Sequence, residues 1–170
     1  MSMDECYIDL AAALDMLPNG FPRTASGVEL KILKKIFSPE EAFLASRLRG
    51  TAESVAAIAA RAGLPVDEAR ARLKGLAKRG LIWGGPEEKE LRFRLAPFIV
   101  GIYEAKAVPM DHEYAHLIED YMAEGGAAGI MQPEPALHRV IPAQSAVKSE
   151  WILPYDDVRA ILAAAKTFHV

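Results

Sequence analysis

TAESVAAIAARAGLPVDEARARLKGLAKRGLIWGGPEEKELRFRL occupies residues 51–95, and its local signals agree with one another. Across 54–62, Val55, Ile58, Ala59 and Ala62 recur three and four residues apart, the spacing of one helical face. Gly63 supplies the left-handed residue that ends a helix, and Leu64-Pro65 turns the corner. A second helix follows, with Val66, Ala69, Leu73, Leu76 and Ala77 on its apolar stripe. Asp67 and Glu68 stand in its first turn and Lys78 and Arg79 in its last, the order that suits the helix dipole. Gly80 is a stop, and Leu81-Ile82-Trp83 is apolar and β-prone. Gly84-Gly85-Pro86 with the charged run 87–90 is expected to make the turn of a hairpin. Leu91-Arg92-Phe93-Arg94-Leu95 alternates strictly and returns as its second strand. Helix, glycine corner, helix and hairpin in this order predict a winged helix-turn-helix.

Working back from Thr51, Ser38-Pro39-Glu40-Glu41 is a capping box with proline at the first helical position. It launches a helix through Phe43, Leu44 and Leu48 to the break at Gly50. The helix before it carries Val28, Leu30, Ile32, Leu33, Ile36 and Phe37, with Thr24 or Ser26 as its cap. Residues 1–23 hold a weaker pattern (Ile8, Leu10, Ala11, Leu14, Leu17) broken at Pro18-Asn19-Gly20. They are expected to form an arm or short helix against the body or a second subunit. Downstream, 97–103 is an apolar run expected to be buried. Asp111 caps a helix with Tyr114, Leu117, Ile118, Tyr121 and Met122 on one side, and Gly125-Gly126 ends it. A loop over 129–135, strands near 138–141 and 150–153, and a helix opened by Pro154 complete the pattern. Residues 167–170 begin another strand-like run, which predicts a chain continuing past Val170. The expected architecture is mainly α with small β: a winged-helix domain with a helical arm over 1–107, then a smaller α+β domain over 108–170.

The 170 residues are 51% hydrophobic and 25% charged, a globular composition. No run of ~18 apolar residues and no signal peptide opens the chain, so the expected location is cytoplasmic, without a membrane partner. The lone Cys6 excludes an internal disulfide and an all-cysteine metal site. Net charge is −3, but 61–94 holds nine basic and five acidic residues, +4, leaving −7 elsewhere. Positive charge gathered on a helix-turn-helix suits a polyanion; it equally suits the solvated faces of amphipathic elements. On the second helix Arg70, Lys74 and Lys78 line one flank of the polar face, and Arg72 and Arg79 the other. Arg92 and Arg94 lie on the outer face of the wing. These seven are the candidate nucleic-acid or partner-binding residues. Ala71 and Gly75 sit between the flanks, and 66–80 contains no Asn, Gln, Ser or Thr to read base edges. Any DNA binding is therefore expected to be weakly specific and strongly salt-dependent.

His112-Glu113-Tyr114-Ala115-His116 spells H-E-x-x-H, which on a helix places two imidazoles to bind zinc beside a glutamate base. Context argues against a peptidase. The motif follows Pro109 on a first turn, Glu119 and Met122 stand downstream where a third histidine is needed, and Glu134 and His138 lie in or beyond a glycine-rich loop. His112 and His116 remain the metal candidates of a chain otherwise expected to hold no metal. With no P-loop, dinucleotide fingerprint or nucleophile elbow, no enzymatic activity is expected.

Four stretches carry a family resemblance: Phe37-Ser38-Pro39-Glu40-Glu41-Ala42, Leu76-Ala77-Lys78-Arg79-Gly80-Leu81-Ile82, Pro97-Phe98-Ile99-Val100-Gly101-Ile102-Tyr103-Glu104 and Pro154-Tyr155-Asp156-Asp157. Together they resemble the N-terminal region of bacterial ferredoxin-type proteins, in which a winged-helix segment and a linker domain precede a cysteine-rich [4Fe-4S] domain. The resemblance implies a docking or redox-linked regulatory module in an electron-transfer protein. Its clusters would lie only in a downstream domain, and its partner would be that domain or another protein. A stand-alone DNA-binding transcriptional regulator, whose C-terminal part dimerises or senses a ligand, is the alternative from the residues themselves.

Overall fold

The computed structural model describes residues 4–87, 90–107, 110–128 and Ala163. The chain divides into two compact units, Met1–Leu137 and His138–Val170. The strands expected at 138–141, 150–153 and 167–170, the helix from Pro154 and the loop over 129–135 lie outside the described residues. The described part is mostly helical with one small antiparallel sheet, an α+β fold.

Three helices lead: α1 (Glu5–Asp15), α2 (Val28–Ile36) and α3 (Pro39–Ser46). Within the 1–23 segment α1 is a helix of three turns, and it buries Tyr7, Leu10, Ala11 and Leu14 against α3 and α2. Ile8, expected on its buried stripe, is exposed, and Cys6 takes the inward position instead. The N-cap of α2 is Gly27, not Thr24 or Ser26 as expected, although the Val28 amide donates to Thr24 Oγ1 at 3.1 Å and to Ser26 Oγ at 3.3 Å. The box at Ser38 is closed: its hydroxyl accepts from the Glu41 amide at 3.3 Å while the Glu41 carboxylate accepts from the Ser38 amide at 3.0 Å. Two orphan amides of the first turn are satisfied this way.

Next come a short strand β1 (Glu53–Ser54), α4 (Val55–Ala62), α5 (Val66–Lys78), β2 (Ile82–Glu87) and β3 (Glu90–Leu95). Gly63 ends α4 at φ +65°, as its place in the sequence predicts. Ile58, Leu73 and Leu76 are fully buried between the helices, but Val66 is not on the buried stripe: it is 41% exposed at the corner. The sheet order is β1-β3-β2, antiparallel throughout, with Trp83 opposite Arg94 and Gly84 opposite Phe93.

The hairpin corrects one expectation. Gly84, Gly85 and Pro86 are not its turn but the continuing strand β2, paired to Phe93, Arg92 and Leu91. Two physical facts permit this. β2 is an edge strand, where proline's missing N–H deprives no neighbour. Gly84 also leaves the space that the Phe93 ring fills, for a Cβ there would stand 2.0 Å from Phe93 Cδ1.

After the sheet, 98–102 is an irregular turn with non-helical Ile99, Val100 and Gly101, leading to α6 (Tyr103–Lys106). Phe98 and Ile102 are buried as expected, but Val100 is 51% exposed. The last described helix, α7 (His112–Ala123), packs on α2. It lies within the unit Met1–Leu137. There Phe21, Phe98 and Tyr121 meet, with ring centroids 4.6, 5.1 and 5.8 Å apart. Asn19, at the break after α1, donates its side-chain amide to the Ile99 carbonyl. Tyr114 and Tyr121 have hydroxyls that are buried without a hydrogen-bond partner among the described residues, and desolvation drives both phenols well above their usual range.

Candidate nucleic-acid or partner interface

Helix α5 displays Arg70, Ala71, Arg72, Lys74, Gly75 and Lys78 to solvent. Nothing stands within 4 Å of where a Cβ at Gly75 would project, so the centre of this face is bare. Arg70 pairs with Asp67 at 3.1 Å and Arg72 with Glu68, one turn back along the same helix. Such exposed pairs hold weakly, on the order of 0.3–0.5 kcal/mol, and exchange readily for another anion. Lys74 and Lys78 are exposed.

Two cations counted in the positive segment serve the fold itself. Arg79 donates through Nη2 to the Ile36 carbonyl at 2.6 Å and through Nη1 to Glu41 Oε1 at 2.5 Å. One fork thus ties the end of α5 to the last turn of α2 and the first of α3. Arg61 pairs with Glu53, contacting Oε2 at 3.0 Å, and also donates to the Arg47 carbonyl. Its guanidinium is held still more firmly charged by that carboxylate. The free positive surface is therefore smaller than the +4 of the sequence.

The hairpin carries the other two candidates. Arg94 Cζ lies 4.5 Å from the Trp83 ring centroid, the distance of a cation–π stack. Arg92 Nη2 is 3.8 Å from Glu90, and its Nε is buried with no hydrogen-bond partner among the described residues. Trp83, Gly84, Gly85, Pro86, Arg92 and Arg94 border an open cleft of about 460 Å³. A second of about 430 Å³, between α5 and the hairpin, is bordered by Val55, Val66, Arg70, Lys74, Glu90 and Leu91. The seven candidates consequently fall into three places: the α5 face and its cleft (Arg70, Arg72, Lys74, Lys78), the outer face of the hairpin (Arg92, Arg94) and the tie from the end of α5 to α2 and α3 (Arg79). Sequence patterning missed Trp83 as a surface residue. With Trp83 opposite Arg94, the alternation of β3 puts both on one face, a register that a turn over 84–90 does not give.

The H-E-x-x-H histidines do share a helix face, with ring centroids 4.4 Å apart on α7. Both are exposed. His116 Nδ1 lies 3.1 Å from Glu119, and Glu113 is engaged by Lys35 of α2, which also pairs with Asp111 at 3.0 Å. Among the described residues no three His, Cys, Asp or Glu side chains gather as a metal site. Asp111 caps α7 as predicted, accepting from the Tyr114 amide at 2.8 Å. That amide first, and Lys35 second, hold its carboxyl below the usual aspartate range. The sign follows: Asp111 stabilises α7 fully above that range, and the contribution is lost as pH falls through the lowered value. A carboxyl-carbon NMR titration should give Asp111 a lower midpoint than the same residue in unfolded chain, and Lys35→Met should move it upward.

Among the described residues no helix is long and apolar enough to cross a membrane. No protein-family model, curated protein or solved structure matches the chain.

Proposed function

We propose that residues 38–95 are a winged helix-turn-helix used as a non-enzymatic docking module. In this proposal the chain is the front part of a ferredoxin-type iron–sulfur protein. One observation carries the winged-helix reading: helix, short strand, two helices about a glycine corner, and a hairpin whose second strand lies between the other two. That order of elements and of strands is the one a winged helix requires. The composition of α5 favours docking over sequence reading. Its outward centre is Ala71 and Gly75, Arg70 and Arg72 pair with acids of their own helix, and Arg79 is bound to Ile36 and Glu41. Base readout needs bidentate donors aimed at groove edges; a bare, small-residue centre admits a protein surface.

The ferredoxin part of the proposal rests on the sequence resemblance. Cys6, the one cysteine, is 5% exposed in the core of the helices, so cluster ligands would have to come from outside this chain. The test is the full-length gene product. It should contain iron and show iron–sulfur absorbance in the visible, while residues 1–170 alone show neither. A product without iron overturns the assignment.

A second reading, weakly specific duplex binding, is favoured by Lys74 and Lys78, which stand exposed on the α5 face. Filter binding with a generic duplex at low salt decides between them. Retention that falls steeply with added salt supports the duplex, and no retention at micromolar protein removes it.

A further inference from the structure

Trp83 is 37% and Val100 51% exposed, large apolar side chains that a folded chain normally covers. The two belong to one place. Trp83 Cζ2 lies 3.7 Å from the Cβ position of Gly101, the residue after Val100. Beside them the Arg94 guanidinium carbon stands 4.5 Å from the indole centroid, and the charged fork borders the same open cleft. Arg92 adds a buried Nε with no hydrogen-bond partner among the described residues. Gly85, the neighbour of both, has nothing within 4 Å of its Cβ position, so a second backbone can come close. Tryptophan and arginine around a desolvated centre are the residue types that dominate protein–protein binding energy.

Charge decides the kind of partner. Arg92 and Arg94 are faced by Glu87, which lines the same cleft, and by Glu90, 3.8 Å from Arg92. The patch is close to balanced. A phosphodiester backbone needs a run of cations without opposing carboxylates; a single carboxylate needs only one fork. The mode of approach is constrained too. Pro86 lacks the N–H that strand addition along β2 would use, so a partner lies across the face and not along the edge.

We infer that the outer face of the hairpin docks an extended acidic protein segment, with an apolar side chain against Trp83 and Val100 and a carboxylate on Arg92 and Arg94. This rests on the docking reading above only in taking the module to bind a protein; it names the hairpin face, apart from the α5 face, as a docking surface.

The experiment is an unbiased peptide-display selection on residues 1–170, with selected peptides then synthesised and titrated by fluorescence anisotropy. The expected peptides combine Asp or Glu with large apolar residues. Their affinity should fall about tenfold or more with Arg94→Glu and with Trp83→Ala, the scale of a hot-spot loss, and hold with Lys74→Glu. Circular dichroism identifies any variant that fails to fold, and Arg94→Gln then replaces it. Selection of neutral or basic peptides, or equal binding by Arg94→Glu, overturns the inference. So does a generic duplex held by the native chain and released by Arg94→Glu, which would assign the face to phosphates. Failure here leaves the iron test untouched, and acidic peptides bound by a protein without iron would sink the ferredoxin assignment alone.

Discussion

Gly84→Val should destabilise the chain by about 2–3 kcal/mol, the cost of forcing bulk into a filled site. A Cβ at this position would lie 2.0 Å from Phe93 Cδ1, 2.5 Å from Cε1 and 3.0 Å from Cγ. The last of these is the root of the ring, so a tip rotation cannot relieve the contact. Phe93 is 2% exposed and shares the core with Leu95 and Ile82, leaving the ring nowhere to withdraw. The strand pair must open or slip instead, and a slip of one residue would turn Arg92 and Arg94 into the core. Urea unfolding measures the loss, which for a chain of this size corresponds to a fall in Tm of roughly 5–10 °C. The neighbouring Gly85→Ala is the control. Its Cβ meets nothing within 4 Å, so stability should change by no more than about 0.5 kcal/mol. Equal effects at the two glycines would mean that the Phe93 contact is not what requires Gly84.

A larger loss, about 3–5 kcal/mol, is expected of Phe21→Ala. Phe21 is 1% exposed on the segment between α1 and α2, with its ring against Phe98 and Tyr121. These three side chains join the N-terminal segment, the turn after the sheet and α7. The Phe21 amide also donates to Asp15 at 2.8 Å, which holds the segment while the ring is removed. The cavity therefore cannot collapse easily, and the cost belongs toward the upper end of the range. Denaturant midpoints with an unchanged slope would confirm a pure stability effect. A loss below about 1 kcal/mol would place the ring outside the cooperative core.

What could be read from the letters is what a few adjacent residues decide among themselves. The Ser38 box, the left-handed Gly63 and the Asp111 cap each need only a short window of sequence, and each is found where expected. The apolar stripe of α7 is likewise complete within its own helix. Misreadings arise where the deciding neighbour is remote. Gly84-Gly85-Pro86 has the composition of a turn, and only the Phe93 ring across the strand pair, with the edge position of β2, makes it a strand. Val100 sits in an apolar run yet faces outward because the backbone turns at 99–101. Arg79 has the look of a helix-end surface cation, but its partners, Ile36 and Glu41, are about forty residues upstream. The cationic rim was therefore overcounted: charge in sequence is local, whereas neutralisation is three-dimensional.

Arg79 has one more consequence. Because a single planar fork serves both the Ile36 carbonyl and the Glu41 carboxylate, the tail of α5 is bolted to the helix on which α7 rests. A lysine, with one point charge in place of the fork, could not span the joint in the same way. A substitution at Arg79 is therefore expected to be felt at α2 and α3 as well as at the end of α5.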